Sequence, residues 1–206
     1  MASALTADIP DRPRARAAGA IILARHGEPA LSRKVKLTAQ QYRDFWAKYE
    51  VLGILPGQTP PEKLAQFVEG CGTLLSSTRL RSIESAAALG GSRRAVQHEI
   101  LIEAPLPPPR WPDFIRLSPS VWGFIARFWW WFFNHHEGQE TRGDAEARAM
   151  RAADLLIGHA EDGEDVVVLA HGFFNFMIGR ALRRRGWKLV ASEGYKYWST
   201  RRFERR

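Results

Sequence analysis

Apolar residues along the chain fall into two patterns. Residues 20–24 (AIILA) and 166–170 (VVVLA) are uninterrupted apolar runs of strand length, as expected of central parallel strands covered on both faces. Weaker runs at 73–77 (TLLSS) and 95–100 (AVQHEI) predict two more strands. Between them the apolar positions recur at helical spacing near 38–49, 61–69, 81–89, 141–159 and 173–184, which predicts five helices. Residues 193–203, rich in Tyr, Trp and Thr, predict an edge strand. No repeat of about 20 to 50 residues interrupts this alternation. Strands alternating with helices predict an α/β fold, a three-layer α/β/α sandwich around a mostly parallel sheet.

One region breaks the alternation. Residues 111–133 hold ten aromatic side chains, including five of the eight tryptophans and the run Phe128-Trp129-Trp130-Trp131-Phe132-Phe133. Arg127 interrupts it, and a membrane span needs about 20 apolar residues, so it is not read as a span. As a helix it is apolar nearly all round, so it must pack into a core, cover a pocket, or meet a partner or membrane surface. Residues 111–140 are accordingly assigned to a helical, aromatic-rich insertion or lid, with Trp122, Trp129, Trp130 and Trp131 as candidate contacts to a partner or a membrane surface.

Length and charge narrow the picture. A chain of 206 residues with 45% hydrophobic and 25% charged residues has the composition of one soluble globular domain, assigned here to residues 19–206. Residues 1–18 lack the apolar core of a secretory signal and are read as a flexible leader; Asp8, Asp11 and two prolines set them apart from a transit peptide. Lys and Arg exceed Asp and Glu by 30 to 22, a balance that raises nucleic acid, anionic membranes and phosphorylated small molecules as partners. From Arg180 onward ten basic residues face two acidic ones, so the whole excess of +8 sits in those 27 residues. The body of the chain is balanced and no base-reading motif is present, so nucleic acid is not expected. The basic segment at 186–206 is read as a solvated face. A lone cysteine, Cys71, excludes an intramolecular disulfide and fits a reducing compartment, hence a cytoplasmic assignment.

Chemistry enters at the ends of the two apolar strands. One runs into Arg25-His26-Gly27-Glu28 and the other into His171-Gly172. In open parallel sheets ligands bind outside the carboxyl ends of the strands, so both histidines are expected in one crevice. Two imidazoles with Arg25 and with Arg81, which follows the strand TLLSS, form a coherent site for a phosphoryl group. Guanidinium forks suit phosphate oxygens, and an imidazole is a competent nucleophile.

These residues resemble the signature of the histidine phosphatase superfamily, also called phosphoglycerate-mutase-like. Arg25-His26-Gly27-Glu28 is similar to its N-terminal motif, residues 76–86 (SSTRLRSIESA) to the segment with its second phosphate-binding arginine, and Ala170-His171-Gly172 to its second histidine. Glu103 falls where the family keeps its proton donor. Ser32 stands where many members place a phosphate-proximal asparagine, and Ala170 replaces a frequent serine. Glu140-Thr141 with Arg148 is similar to the opening of the family's helix before the last central strand. The resemblance implies a metal-independent, cofactor-free phosphatase acting on a small phosphate ester. His26 would form a phosphohistidine, Arg25, Arg81, His171 and Ser32 would bind the phosphoryl group, and Glu103 would serve as general acid and base. Glu28 is the rival acid. A phosphomutase using the same intermediate, or a phosphate-binding scaffold with little turnover, are the alternatives. His135 and His136 invite a metal reading, but adjacent helical histidines point apart and no further ligand pattern accompanies them.

Overall fold

The structure, a computed structural model, describes residues 17–91 and 93–205. The leader expected at 1–18 therefore lies almost wholly outside the described residues. The elements run β1 (Ile21–Arg25), α1 (Ala39–Val51), α2 (Glu62–Gly70), β2 (Thr73–Ser76), α3 (Leu80–Gly90), β3 (Val96–Gln97), α4 (Pro119–Phe133), α5 (Arg142–Ala160), β4 (Val166–Ala170), α6 (Gly172–Arg184), β5 (Lys188–Ser192) and β6 (Thr200–Glu204).

The strands form one sheet in the order β3-β2-β4-β1-β6-β5. Parallel pairing joins β3, β2, β4 and β1, whereas β6 and β5 add on antiparallel to their neighbours. The two uninterrupted apolar runs are adjacent at the centre, as their two-sided burial requires. Alternate residues of each strand then feed opposite layers. Ile21, Leu23, Val166 and Val168 pack with α5 and α6, while Ile22, Ala24, Val167 and Leu169 pack with Leu64, Val68 and Ala86 of α2 and α3. The result is the expected α/β/α sandwich.

Two strand assignments change. The expected edge strand at 193–203 is a strand only from Thr200, and it lies inside the sheet, hydrogen-bonded to β1 on one side and β5 on the other. The edge is β5, which the sequence reading assigned to a solvated basic segment. Its residues are mostly exposed, so it lacks the apolar signal that marks a covered strand. The segment 95–100 yields two strand residues followed by a short helical turn.

The aromatic region becomes α4, capped by the Ser118 hydroxyl, opened by Pro119 and closed by Asn134 at φ 51°, the start and stop chemistry expected of a well-defined helix. Its buried stripe is Trp122, Ala126 and Trp130, spaced at four residues on one face. Trp130 and Ala126 join the core over α5 and α6, and Trp122 joins Tyr42, Phe45 and Tyr49 of α1. Both buried indoles are satisfied, with Trp122 donating to the Leu37 carbonyl at 2.7 Å and Trp130 to that of Glu140 at 3.1 Å. Among the described residues no helix is long and apolar enough to cross a membrane.

Candidate active site

The register of the central strands assembles the site. Arg25 pairs with Ala170 across β1 and β4, so His26 and His171, each one residue further on, emerge side by side with ring centroids 5.3 Å apart. Ser76 pairs with Leu169 on the other flank of β4, which brings Ser77 within 2.9 Å of the His171 Nε2.

Hydrogen bonds fix the tautomer of each ring. His26 Nδ1 lies 2.7 Å from the Gly27 carbonyl oxygen. A carbonyl only accepts, so in the neutral ring Nδ1 carries the proton and Nε2 presents a free lone pair. His171 is the reverse: the Arg81 guanidinium, which only donates, sits 3.3 Å from its Nδ1, so its Nε2 holds the proton and donates to Ser77. Both rings are buried, and burial with the charges of Arg81 and Arg25 holds each pKa well below the usual histidine value.

Arg81 is fully buried and is fixed from α1. It donates to the Tyr49 carbonyl at 3.0 Å and to the Glu50 carboxylate at 2.8 Å. The carboxyl end of a helix carries partial negative charge, so the end of α1 offers a buried cation both a dipole and a counter-ion. Arg25 donates to the Tyr195 carbonyl at 2.6 Å and lies 4.3 Å from the Tyr197 ring centroid. The Nε atoms of Arg25, Arg33 and Arg81 are buried without a hydrogen-bond partner among the described residues. The charges of all three side chains act on His26.

Arg25, His26, Arg33, Arg81, Glu103 and His171 line one cavity of about 500 Å³. The Glu103 carboxylate is oriented by the first turn of α6, accepting from the Phe174 N–H at 2.8 Å and the Phe173 N–H at 3.4 Å. Glu28 is exposed and is not among the lining residues; Gln58 holds its backbone on both sides. Ser32 is likewise exposed, with its hydroxyl accepting from the Lys34 N–H at 3.3 Å, and Arg33 lines the cavity in its stead. Trp122 and Trp130, expected as surface contacts, are fully buried because the apolar stripe of α4 turns inward. The exposed aromatics of that helix are Phe124, Phe128, Phe132 and Phe133.

His135 and His136 turn to different partners, the Pro108 carbonyl and the Gly138 N–H. Glu140 and Arg148 form an ion pair at 2.7 Å, and Arg148 also donates to the Ile100 and Ile102 carbonyls at 2.9 and 2.7 Å. That pair thereby fixes the segment leading to Glu103.

Sequence reading missed Arg33, Ser77, Tyr195 and Tyr197. Ser77 closes a strand that was recognised, so its hydroxyl was a usable signal. Arg33 and the two tyrosines sit in irregular segments where neither period nor motif marks them.

A fold with its histidines at adjacent strand ends and arginines around them defines a phosphoryl-binding class of protein. The chain belongs to the histidine phosphatase superfamily (branch 1), whose family pattern matches residues 21–202. Similar solved structures include a phosphoserine phosphatase mutant from Entamoeba histolytica in complex with phosphoserine, at TM-score 0.55 and 15% identity over 89% of each chain. A phosphoglycerate mutase from Bacillus anthracis aligns at TM-score 0.53 and 13% identity, over 93% of this chain and 90% of that one. A mycobacterial glucosyl-3-phosphoglycerate phosphatase aligns at TM-score 0.51 and 19% identity, over 81% and 80%. At these identities the likeness is one of fold. No curated protein matches the chain by sequence.

Proposed function

We propose that this protein is a phosphatase that hydrolyses a small phosphate monoester through a phosphohistidine on His26. The observation that carries the reading is the free Nε2 lone pair of His26 beside the buried Arg81 and the half-buried Arg25 and Arg33. The nucleophile is present in its neutral form, and the charge that a phosphoryl group needs surrounds it.

In this reading Arg25, Arg81 and His171 hold the non-bridging oxygens while His26 Nε2 attacks phosphorus in line with the leaving oxygen. The P–O bond to the alcohol breaks as the N–P bond forms. Glu103, in its protonated form, gives its proton to the leaving oxygen. Its carboxylate then takes a proton from water, which attacks phosphorus, releases inorganic phosphate and restores His26. Arg33, which also lines the cavity, adds a further cationic donor. Hydrolysis is favoured over the mutase reading because three of the four lining arginines, Arg25, Arg33 and Arg81, act on His26, and the rest of the lining is mostly aromatic.

The test is phosphate release from a panel of sugar, nucleotide, lipid and protein phosphates, with His26→Ala as control. Wild-type turnover should fall by about a thousandfold or more in the variant, and rapid quenching of the wild type should trap phosphate on His26 by mass spectrometry. Equal activity of the two proteins would overturn the assignment.

A further inference from the structure

The cavity has a cationic floor and aromatic walls, and that contrast bears on what the phosphate is attached to. The wall rings come from three separate segments: Trp46 and Tyr49 on α1, Phe173 and Phe176 on α6, and Tyr195 in the link between β5 and β6. They form near-continuous surfaces. Trp46 stacks on Tyr49 at 4.9 Å, Phe173 on Phe176 at 6.1 Å, and Phe176 meets Tyr195 edge-on at 6.5 Å.

Groups able to receive a polyhydroxylated leaving group are scarce. Once the arginines, histidines and Glu103 that serve the phosphoryl group are set aside, the lining side chains with polar atoms are Ser120, Arg127, the two tyrosines and the Trp46 indole. No Asp, Asn or Gln is among them. Arg127 directs one donor to the Gly123 carbonyl at 2.9 Å and lies 5.5 Å from the Phe173 ring centroid, so it is the one charged group left among the lining side chains. A sugar or a polyol placed here would exchange water for ring carbon at most of its hydroxyls, which is unfavourable. Apolar carbon placed here would gain from the same exchange.

Building on the phosphatase reading, we infer that the leaving group is an apolar or aromatic alcohol that lies between the α1 and α6 rings. The substrate class is a phosphate monoester with an extended hydrocarbon or aryl body, in place of a sugar phosphate or a short phosphorylated acid.

The test uses primary alkyl phosphates, whose leaving alcohols are alike in acidity, so that binding alone varies along the series. From ethyl through butyl and hexyl to octyl phosphate, kcat/KM should rise about two- to threefold per methylene, and octyl phosphate should exceed glucose 6-phosphate by about a hundredfold. Phe176→Ala and the gentler Phe176→Leu should both flatten the dependence on chain length, read as the ratio of hexyl to ethyl phosphate. A flat wild-type series, or preference for glucose 6-phosphate, overturns the inference and leaves the phosphatase reading standing. Titration calorimetry with ethyl, hexyl and octyl phosphonate separates the converse case. Affinity that climbs with chain length in a protein with no turnover supports the slot and sinks the phosphatase, and affinity independent of length sinks the slot.

Discussion

His26 and His171 lie side by side yet hold opposite tautomers, because the Gly27 carbonyl can only accept and the Arg81 guanidinium can only donate. Their depressed pKa values carry two consequences. Each ring stays neutral in the folded state below pH 6.5, where the unfolded chain takes up a proton. Stability from this source is present above about pH 6.5 and lost as pH falls towards the folded-state values, by up to about 1.4 kcal/mol per pH unit for each histidine. Urea midpoints should drop between pH 7 and pH 5, and the drop should shrink when both histidines are replaced by Asn. For the same reason His26 should add no acid limb near pH 6.5 to kcat, since its Nε2 remains unprotonated through that range. Arg81 makes a third residue-scale case. Glu50→Gln leaves its buried guanidinium facing backbone carbonyls, the His171 ring and a neutral amide, with no carboxylate, which should destabilise the protein by about 3 kcal/mol in chemical denaturation. Arg81→Lys keeps the charge but loses the planar fork, so activity should fall by about a hundredfold.

At the scale of elements, α4 shows how an apolar helix divides its faces. Trp130→Ala removes a fully buried side chain and should lower stability by about 3 to 5 kcal/mol. Phe132→Ser, on the face where Phe132 is 66% exposed, should change the unfolding free energy by less than about 0.5 kcal/mol. Composition alone could not assign these faces, since Trp and Phe both occur through the run and either type can fill a core or line a contact surface. The central strands were legible for the opposite reason. An apolar run covered on both faces has little else it can be, and the dipeptides that follow β1 and β4 marked where the chemistry would lie. β5 was not legible, because an exposed edge strand carries no burial signal. Arg33 was not legible either, since its place in the cavity is set by an irregular segment that the Leu37–Leu117 bridge ties down.

For the molecule as a whole, the opening charge excess is partly absorbed by the fold. Arg185 pairs with Asp154, Arg202 with Asp165 and Glu204, and Arg205 with Glu161, while Arg201 is buried on β6. The late, basic stretch of the chain is thus structural material as much as solvated surface. β6 hydrogen-bonds to β1 and leaves no open edge there, and the link before it delivers Tyr195 and Tyr197 to Arg25. Trp198 in that link adopts a left-handed backbone at φ 64°, a strained conformation for a bulky residue, and its N–H donates to the Arg25 carbonyl at 3.1 Å. Synthesis runs the other way from assembly. The ribosome makes β1, with His26 at its end, before any other described strand and β6 after all of them. While the chain is being made, β1 has no neighbour on that flank and Arg25 lacks its tyrosines, so a nascent chain carries His26 without its finished surroundings, and the cavity waits on the final strand.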